Sequence, residues 1–171
     1  MSTTLRKQAV YPHPPEKVWV ALTDRRALAE WLMPNDFEPV VGHRFRLQVD
    51  PMGGFSGLNE CEVLEVVPNR KLVYSWVVVP KNPQKPRPRP MTLTWTLEPA
   101  DAGTLLVLEQ SGLEHLSFWE RFSMKFGWGT MLKHWIPKVL RNVEGTVFTP
   151  GAIPLNKRCY KTKTIPAELT R

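Results

Sequence analysis

The sequence has only two cysteines, Cys61 and Cys159, far apart and in no metal-like spacing. Neither a disulfide framework nor a thiolate metal site is therefore expected to organise the fold. No run approaches the roughly 20 consecutive apolar residues that a membrane helix needs. The N-terminal MSTTLRKQAVY lacks an apolar run after its positive charges, which argues against a signal peptide. A cytoplasmic protein with reduced thiols is expected. The histidines His13, His43, His115 and His134 share no face and no ligand spacing, so no metal is expected. Pro51-Met52-Gly53-Gly54 lacks the lysine and helix of a phosphate loop. Ser111 and Ser117 flank His115 without a strained elbow around either serine. No cofactor and no catalytic residue is assigned.

What remains is a chain of 171 residues with 42% apolar and 23% charged residues, a size that suits one domain with a substantial core. The net charge of +7 is unevenly placed. The proline-rich segment Pro80 to Pro90 carries Lys81, Lys85, Arg87 and Arg89 and no acid. Beyond residue 147, Lys157, Arg158, Lys161, Lys163 and Arg171 stand against Glu168. Those two segments more than account for the total, so the body is near neutral. The basic loop and tail can steer an anionic partner or keep themselves solvated. Apart from Tyr160 they lack the interleaved aromatics that stack on bases, so nucleic acid is not the expected partner.

A first strand is expected over Thr3 to Val10. His13-Pro14-Pro15-Glu16 opens a helix, because proline suits the first turn and an early glutamate complements the helix dipole. Asp24 can cap a second short helix, Arg25 to Leu32. The pattern then changes to period two. Arg44 to Val49, Asn59 to Val67, Leu72 to Val78, Met91 to Leu97 and Thr104 to Gln110 read as strands joined by turns, an antiparallel meander. Ser117 with Glu120 forms a capping box before the last helical region. There Trp128, Leu132, Trp135, Val139 and Val143 make one stripe. Gly127 and Gly129 predict a break, and Pro137 a kink. Residues 1–147 form the expected domain, and 148–171 an extended or disordered tail that can drape over the body with Phe148, Ile153, Leu155 and Tyr160.

Val18-Trp19 before Ala21-Leu22-Thr23-Asp24 and Leu28-Ala29-Glu30-Trp31 resembles the opening of the activator of heat-shock-protein ATPase homologue family. So do Val41-Gly42-His43-Arg44-Phe45, Val63-Leu64-Glu65-Val66 with Leu72-Val73-Tyr74-Ser75-Trp76, Gln110-Ser111-Gly112-Leu113, and Gly127-Trp128. His43 stands where that family has glycine, and Gln110 where it has histidine. The resemblance covers residues 5–145. It implies an α+β helix-grip fold of the START-like (SRPBCC, Bet v 1-like) superfamily: a curved antiparallel sheet wrapped around a long C-terminal helix, with two short helices after the first strand.

Trp19, Trp31, Trp76, Trp95, Trp128 and Trp135 fall on expected inward faces. Indole N–H groups want partners, so a wholly dry core prefers leucine and valine. The aromatic excess and the superfamily's cavity together point to a site lined by Trp31, Phe45, Tyr74, Trp76, Trp95, Phe122, Trp128, Met131, Leu132 and Trp135. Three functions compete. The first is binding of a small hydrophobic or aromatic molecule such as a lipid. The second is a chaperone-ATPase-activator type of interaction module docking an acidic protein surface. The third is a cyclase- or hydrolase-like enzyme using the same cavity, with Glu109, Glu62 and Tyr74 as its ionisable candidates.

Overall fold

In the computed structural model, residues 3–169 are described. Met1, Ser2, Thr170 and Arg171 lie outside them, including one of the charges counted in the tail. The first strand, β1 (Leu5–Tyr11), leads to α1 (Pro15–Thr23) and α2 (Arg25–Trp31). Pro15 occupies the first helical turn of α1. Asp24 caps α2, its side chain accepting the Arg26 N–H at 2.9 Å. Then come β2 (Arg44–Gln48), β3 (Phe55–Val67), β4 (Lys71–Pro80), β5 (Met91–Ala100) and β6 (Gly103–Ser111). All pair antiparallel in the order β1-β6-β5-β4-β3-β2. Register shifts in β3 between Phe55 and Asn59 and between Val63 and Glu65 bend that strand, as bulges do. The period-two reading holds best in β5, where Met91, Leu93, Trp95 and Leu97 are buried and the threonines between them are half-buried. The fold is the α+β helix-grip arrangement, with short helices and a long C-terminal helix against one six-stranded sheet.

The long helix differs from expectation. α3 (Phe118–Thr130) carries the capping box, Ser117 Oγ accepting from the Glu120 N–H and Glu120 accepting from the Ser117 N–H. It runs unbroken through Gly127 and Gly129. The irregularity lies beyond them, in a π-helical turn, Met131–Trp135, followed by α4 (Ile136–Leu140). The cause is Pro137. It has no N–H to donate, and its ring crowds the preceding turn of a regular helix. The Ile136 N–H reaches back five residues to the Met131 carbonyl, which widens the turn. The Leu132 carbonyl is then left without a helical donor, and the Tyr11 hydroxyl of β1 donates to it at 2.6 Å. Burial pushes the Tyr11 phenol well above its usual range, so it stays a donor. A short hairpin, β7 (Val143–Glu144) with β8 (Val147–Phe148), ends this region.

The tail lies along the body. Phe148, Ile153 and Leu169 are buried, and Tyr160 packs against the core, whereas Leu155 is exposed. Glu30 of α2 accepts the Gly151 and Ile153 N–H groups at 2.6 and 2.7 Å. Further on, Asp50 accepts from the Lys163 and Thr164 N–H groups and the Thr164 hydroxyl at 2.7–2.9 Å. The Thr164 backbone bond, with the other donors, outweighs desolvation and holds the Asp50 carboxyl below the usual carboxylate range. A depressed acid contributes its stability above the unfolded value of about 3.9 and loses it as pH falls through the folded one. Hydrogen exchange, corrected for intrinsic rate, is therefore expected to show residues 161–169 losing protection below about pH 4 before β5 does. Asp50→Asn should remove that pH step; a tail that tracks β5 in the unaltered protein contradicts the clamp.

Among the described residues no helix is long and apolar enough to cross a membrane.

Candidate functional site

The two ends of the space between sheet and helices differ. Toward β2 and the short helices it is filled with aromatic rings. Trp31 meets Trp95 edge-on at 5.8 Å, and Phe45 meets Phe37 and Tyr74 at 5.0 and 5.4 Å. The Trp95 indole donates to the Tyr74 hydroxyl at 3.1 Å, and burial pushes the Tyr74 phenol well above its usual range. This end is core.

At the opposite end, where β4 and β6 finish and β3 and β5 begin, a cavity of about 800 Å³ opens between the sheet and α3. Its floor is Trp76, Met91 and Trp128, with Asn59 and Gln110 among them. Met124, Gly127 and Met131 of the helix close one side; Leu32, Met33, Phe55 and Val78 close the other. Tyr160 of the tail, Leu116, Trp119 and the Pro88-Arg89 end of the proline-rich loop form the rim, with His115, Glu120 and Ser123. The two floor indoles are edge-on at 6.0 Å. Each donates to a buried amide: Trp76 to Asn59 Oδ1 at 2.8 Å and Trp128 to Gln110 Oε1 at 2.7 Å. The amide nitrogens are also engaged. Asn59 Nδ2 donates to the Leu47 carbonyl at 3.2 Å, and Gln110 Nε2 lies 3.4 Å from Met91 Sδ. The side-chain oxygens of both floor amides are thus occupied by indole N–H groups, and the rings and thioethers around them present an apolar surface to the cavity.

Of the residues expected to line a site, Trp76, Trp128 and Met131 stand in the wall. Trp31, Phe45, Tyr74, Trp95 and Leu132 are buried in the core beyond it. Phe122 is a correction. It lies on the outer side of α3 and is 56% exposed, because it shares the face of Phe118 and Phe126 rather than that of Met124 and Trp128. Trp135 is half-buried away from the cavity, with the Lys138 ammonium 4.5 Å from its ring centroid. Glu109 and Glu62 lie on the outer face of the sheet, ion-paired with Arg6 and Arg44, and contribute no carboxylate to the cavity. Among the described residues no three His, Cys, Asp or Glu side chains converge as a metal site.

Sequence reasoning missed Asn59 and Gln110, although a signal was present. Each is a polar residue in the inward phase of its strand, Gln110 continuing Leu106 and Leu108, and Asn59 preceding Cys61 and Val63. It also missed Tyr160 and the loop, which reach the rim from distant parts of the chain.

A family model described as Activator of Hsp90 ATPase homolog 1-like protein matches residues 12–140. Among solved structures, protein MLL2253 from Mesorhizobium loti is 36% identical over 83% of this chain and 100% of that one, with a TM-score of 0.70. Protein CV1439 from Chromobacterium violaceum is 27% identical over 78% and 94% of the two chains, at a TM-score of 0.59. CalU16 from Micromonospora echinospora is 26% identical over 82% and 74%, at 0.58. Against curated proteins the chain finds no significant match.

Proposed function

The chain belongs to the Activator of Hsp90 ATPase homolog 1-like family, and we propose that it serves as a cytoplasmic, non-enzymatic binder of a small apolar or aromatic molecule. The observation that carries this reading is the cavity of about 800 Å³ over the Trp76 and Trp128 floor. Its size falls within the roughly 300–1,000 Å³ usual for ligand pockets. Because the floor amide oxygens already accept from indoles, donors on the part of a ligand that reaches the floor would be left unpaired, which is costly. An apolar or aromatic ligand meets rings and thioethers instead, contacts that favour it by burial and by edge-to-face geometry. Native mass spectrometry of the purified protein, followed by organic extraction, tests the reading. A co-purified apolar molecule supports it. An empty protein whose tryptophan fluorescence is unmoved by a panel of lipids and aromatics contradicts it.

A substitution at Gly127 separates binding from folding. A Cβ there meets nothing within 4 Å, and the position lies inside α3 on the cavity wall. Gly127→Leu is expected to stabilise the helix by about 0.5–1 kcal/mol through propensity while its side chain occupies the cavity. Ligand affinity should fall by about tenfold or more while the melting temperature rises. Unchanged affinity places the ligand elsewhere.

A second reading, docking to an acidic chaperone surface, is favoured by the loop. Lys81, Lys85 and Arg89 are exposed without a carboxylate partner among the described residues, whereas Arg87 is paired with Glu60. Since the tail packs onto the body, its deletion is not a clean test. Lys81→Gln with Lys85→Gln leaves the packing and the cavity rim alone, and capture of the chaperone that is unaltered in this variant removes the reading.

A further inference from the structure

The outward face of α3 carries an aromatic stripe that the fold does not bury. Phe118, Phe122 and Phe126 recur every four residues and are 67%, 56% and 70% exposed; Trp119 beside them is 73% exposed. Ring contacts of 5.5 Å between Phe118 and Trp119 and 6.4 Å between Trp119 and Phe122 join three of these rings, and Phe126 continues the row one turn further on. A surface helix ordinarily presents polar residues on that side, and a contiguous exposed apolar patch marks a docking surface. Cations border it. Arg121 and Lys125 lie along one side of the stripe and Lys133 beyond its end. Lys7 of β1 brings its Nζ to 3.5 Å from where a Cβ on Gly129 would stand. The one acid between residues 118 and 140, Glu120, is engaged in the capping box. On the stripe's other side Trp119 also belongs to the cavity rim, with Ser123 and Gly127.

We propose that α3 docks this protein on an anionic lipid bilayer. The phenylalanines enter the acyl boundary, the cations meet the headgroups, and the cavity rim faces the membrane, from which an apolar ligand enters without crossing water. Aromatics on one face with lysine and arginine at its edge form the pattern of an interfacial amphipathic helix, and Trp119 has the ring type that settles at such a boundary. A second copy of the chain fits less well. The face that would be buried in both copies carries Arg121 and Lys125 and no acid outside the capping box, so its charges would not be complementary to their own kind. Docking itself requires no ligand; the entry route alone rests on the cavity reading.

The test is flotation of the full chain, stripped of bound ligand, with vesicles of phosphatidylcholine plus phosphatidylserine and with vesicles of phosphatidylcholine alone. Binding to the anionic vesicles, weakened by salt, is expected. Phe122→Ser with Phe126→Ser removes exposed rings from outside the cavity, so folding and any ligand titration should persist while flotation falls about tenfold or more. Arg121→Gln with Lys125→Gln should lower binding to the anionic vesicles about 25-fold, near fivefold for each headgroup-facing cation lost. No flotation of the unaltered protein, or flotation indifferent to the phenylalanine pair, overturns the proposal. So does a concentration-dependent dimer that the same pair abolishes, since the stripe would then belong to a second copy. Because the protein is stripped, failure of the cavity reading leaves the flotation result standing, and failed flotation leaves a ligand titration standing.

Discussion

Glu30→Ala is expected to lower the unfolding free energy by about 3–5 kcal/mol and to release the tail from the body. The Glu30 side chain is 2% exposed, and its two carboxylate oxygens each take one main-chain N–H, from Gly151 and Ile153. Arg158 stands 3.7 Å away with its side chain 13% exposed, its Nε donating to the Ile153 carbonyl at 3.1 Å. Alanine leaves two inward-facing donors without an acceptor and a largely buried guanidinium without its counter-charge. Bonds to a charged acceptor are worth about 1.5–3 kcal/mol each, so two of them alone reach the lower bound. Glu30→Gln keeps one acceptor oxygen and should lose less. Urea unfolding measures the first effect, and trypsin cleavage at Lys157 and Arg158 reports the second. A loss under about 1 kcal/mol with an unchanged cleavage rate would show that the tail is held by Phe148 and Ile153 rather than by the carboxylate.

That clamp was invisible in the sequence, and the reason is physical. Sequence periodicity reports which residues share a face within one element; it does not report a bond between positions 30 and 151. Glu30 sits in a seven-residue helix, Arg25–Trp31, too short to show which face is wet, and all of Ala27 to Trp31 is buried. Local signals fared well where one element decides the outcome. The Ser117–Glu120 box, the Asp24 cap, Pro15 in the first turn of α1 and the alternation of β5 were all legible because each depends on a few neighbouring residues. α3 shows the intermediate case. It carries two apolar stripes, Phe118-Phe122-Phe126 and Met124-Trp128, and helical spacing cannot say which of two stripes faces the sheet. Phe122 was therefore placed inside with Trp128, although only the second stripe packs. Gly127 and Gly129 likewise suggested a break. Their cost of about 1 kcal/mol each is small beside the packing of Trp128, and the proline downstream set the position of the irregular turn. Most of the cavity's position was illegible for the same reason as the clamp, since its rim is assembled from the loop near Pro88, from α3 and from Tyr160.

Trp128→Ala is expected to cost about 3–5 kcal/mol, the range for removing a buried tryptophan, and to change what the cavity accepts. Trp128 is 5% exposed and lies edge-on to Trp95 at 5.7 Å and to Trp76 at 6.0 Å, contacts worth about 0.5–1.5 kcal/mol each beyond area. Its indole also occupies Gln110 Oε1. The alanine variant therefore has a larger cavity and one unpaired buried acceptor at its floor. Trp128→Phe keeps most of the ring contacts and should lose only about 1–3 kcal/mol, the cost of the unpaired acceptor. Added indole tests the geometry directly. It restores a ring between Trp76 and Trp95 and an N–H for Gln110, so it should raise the melting temperature of Trp128→Ala by more than that of the unaltered protein. Apolar cavities made by truncation bind small aromatics in this way, and the stabilisation follows from preferential binding to the folded state. If indole stabilises neither protein, the region has collapsed around the alanine and the floor is compliant. If it stabilises both equally, the existing cavity already accepts an indole, and the ligand sought should be of that size.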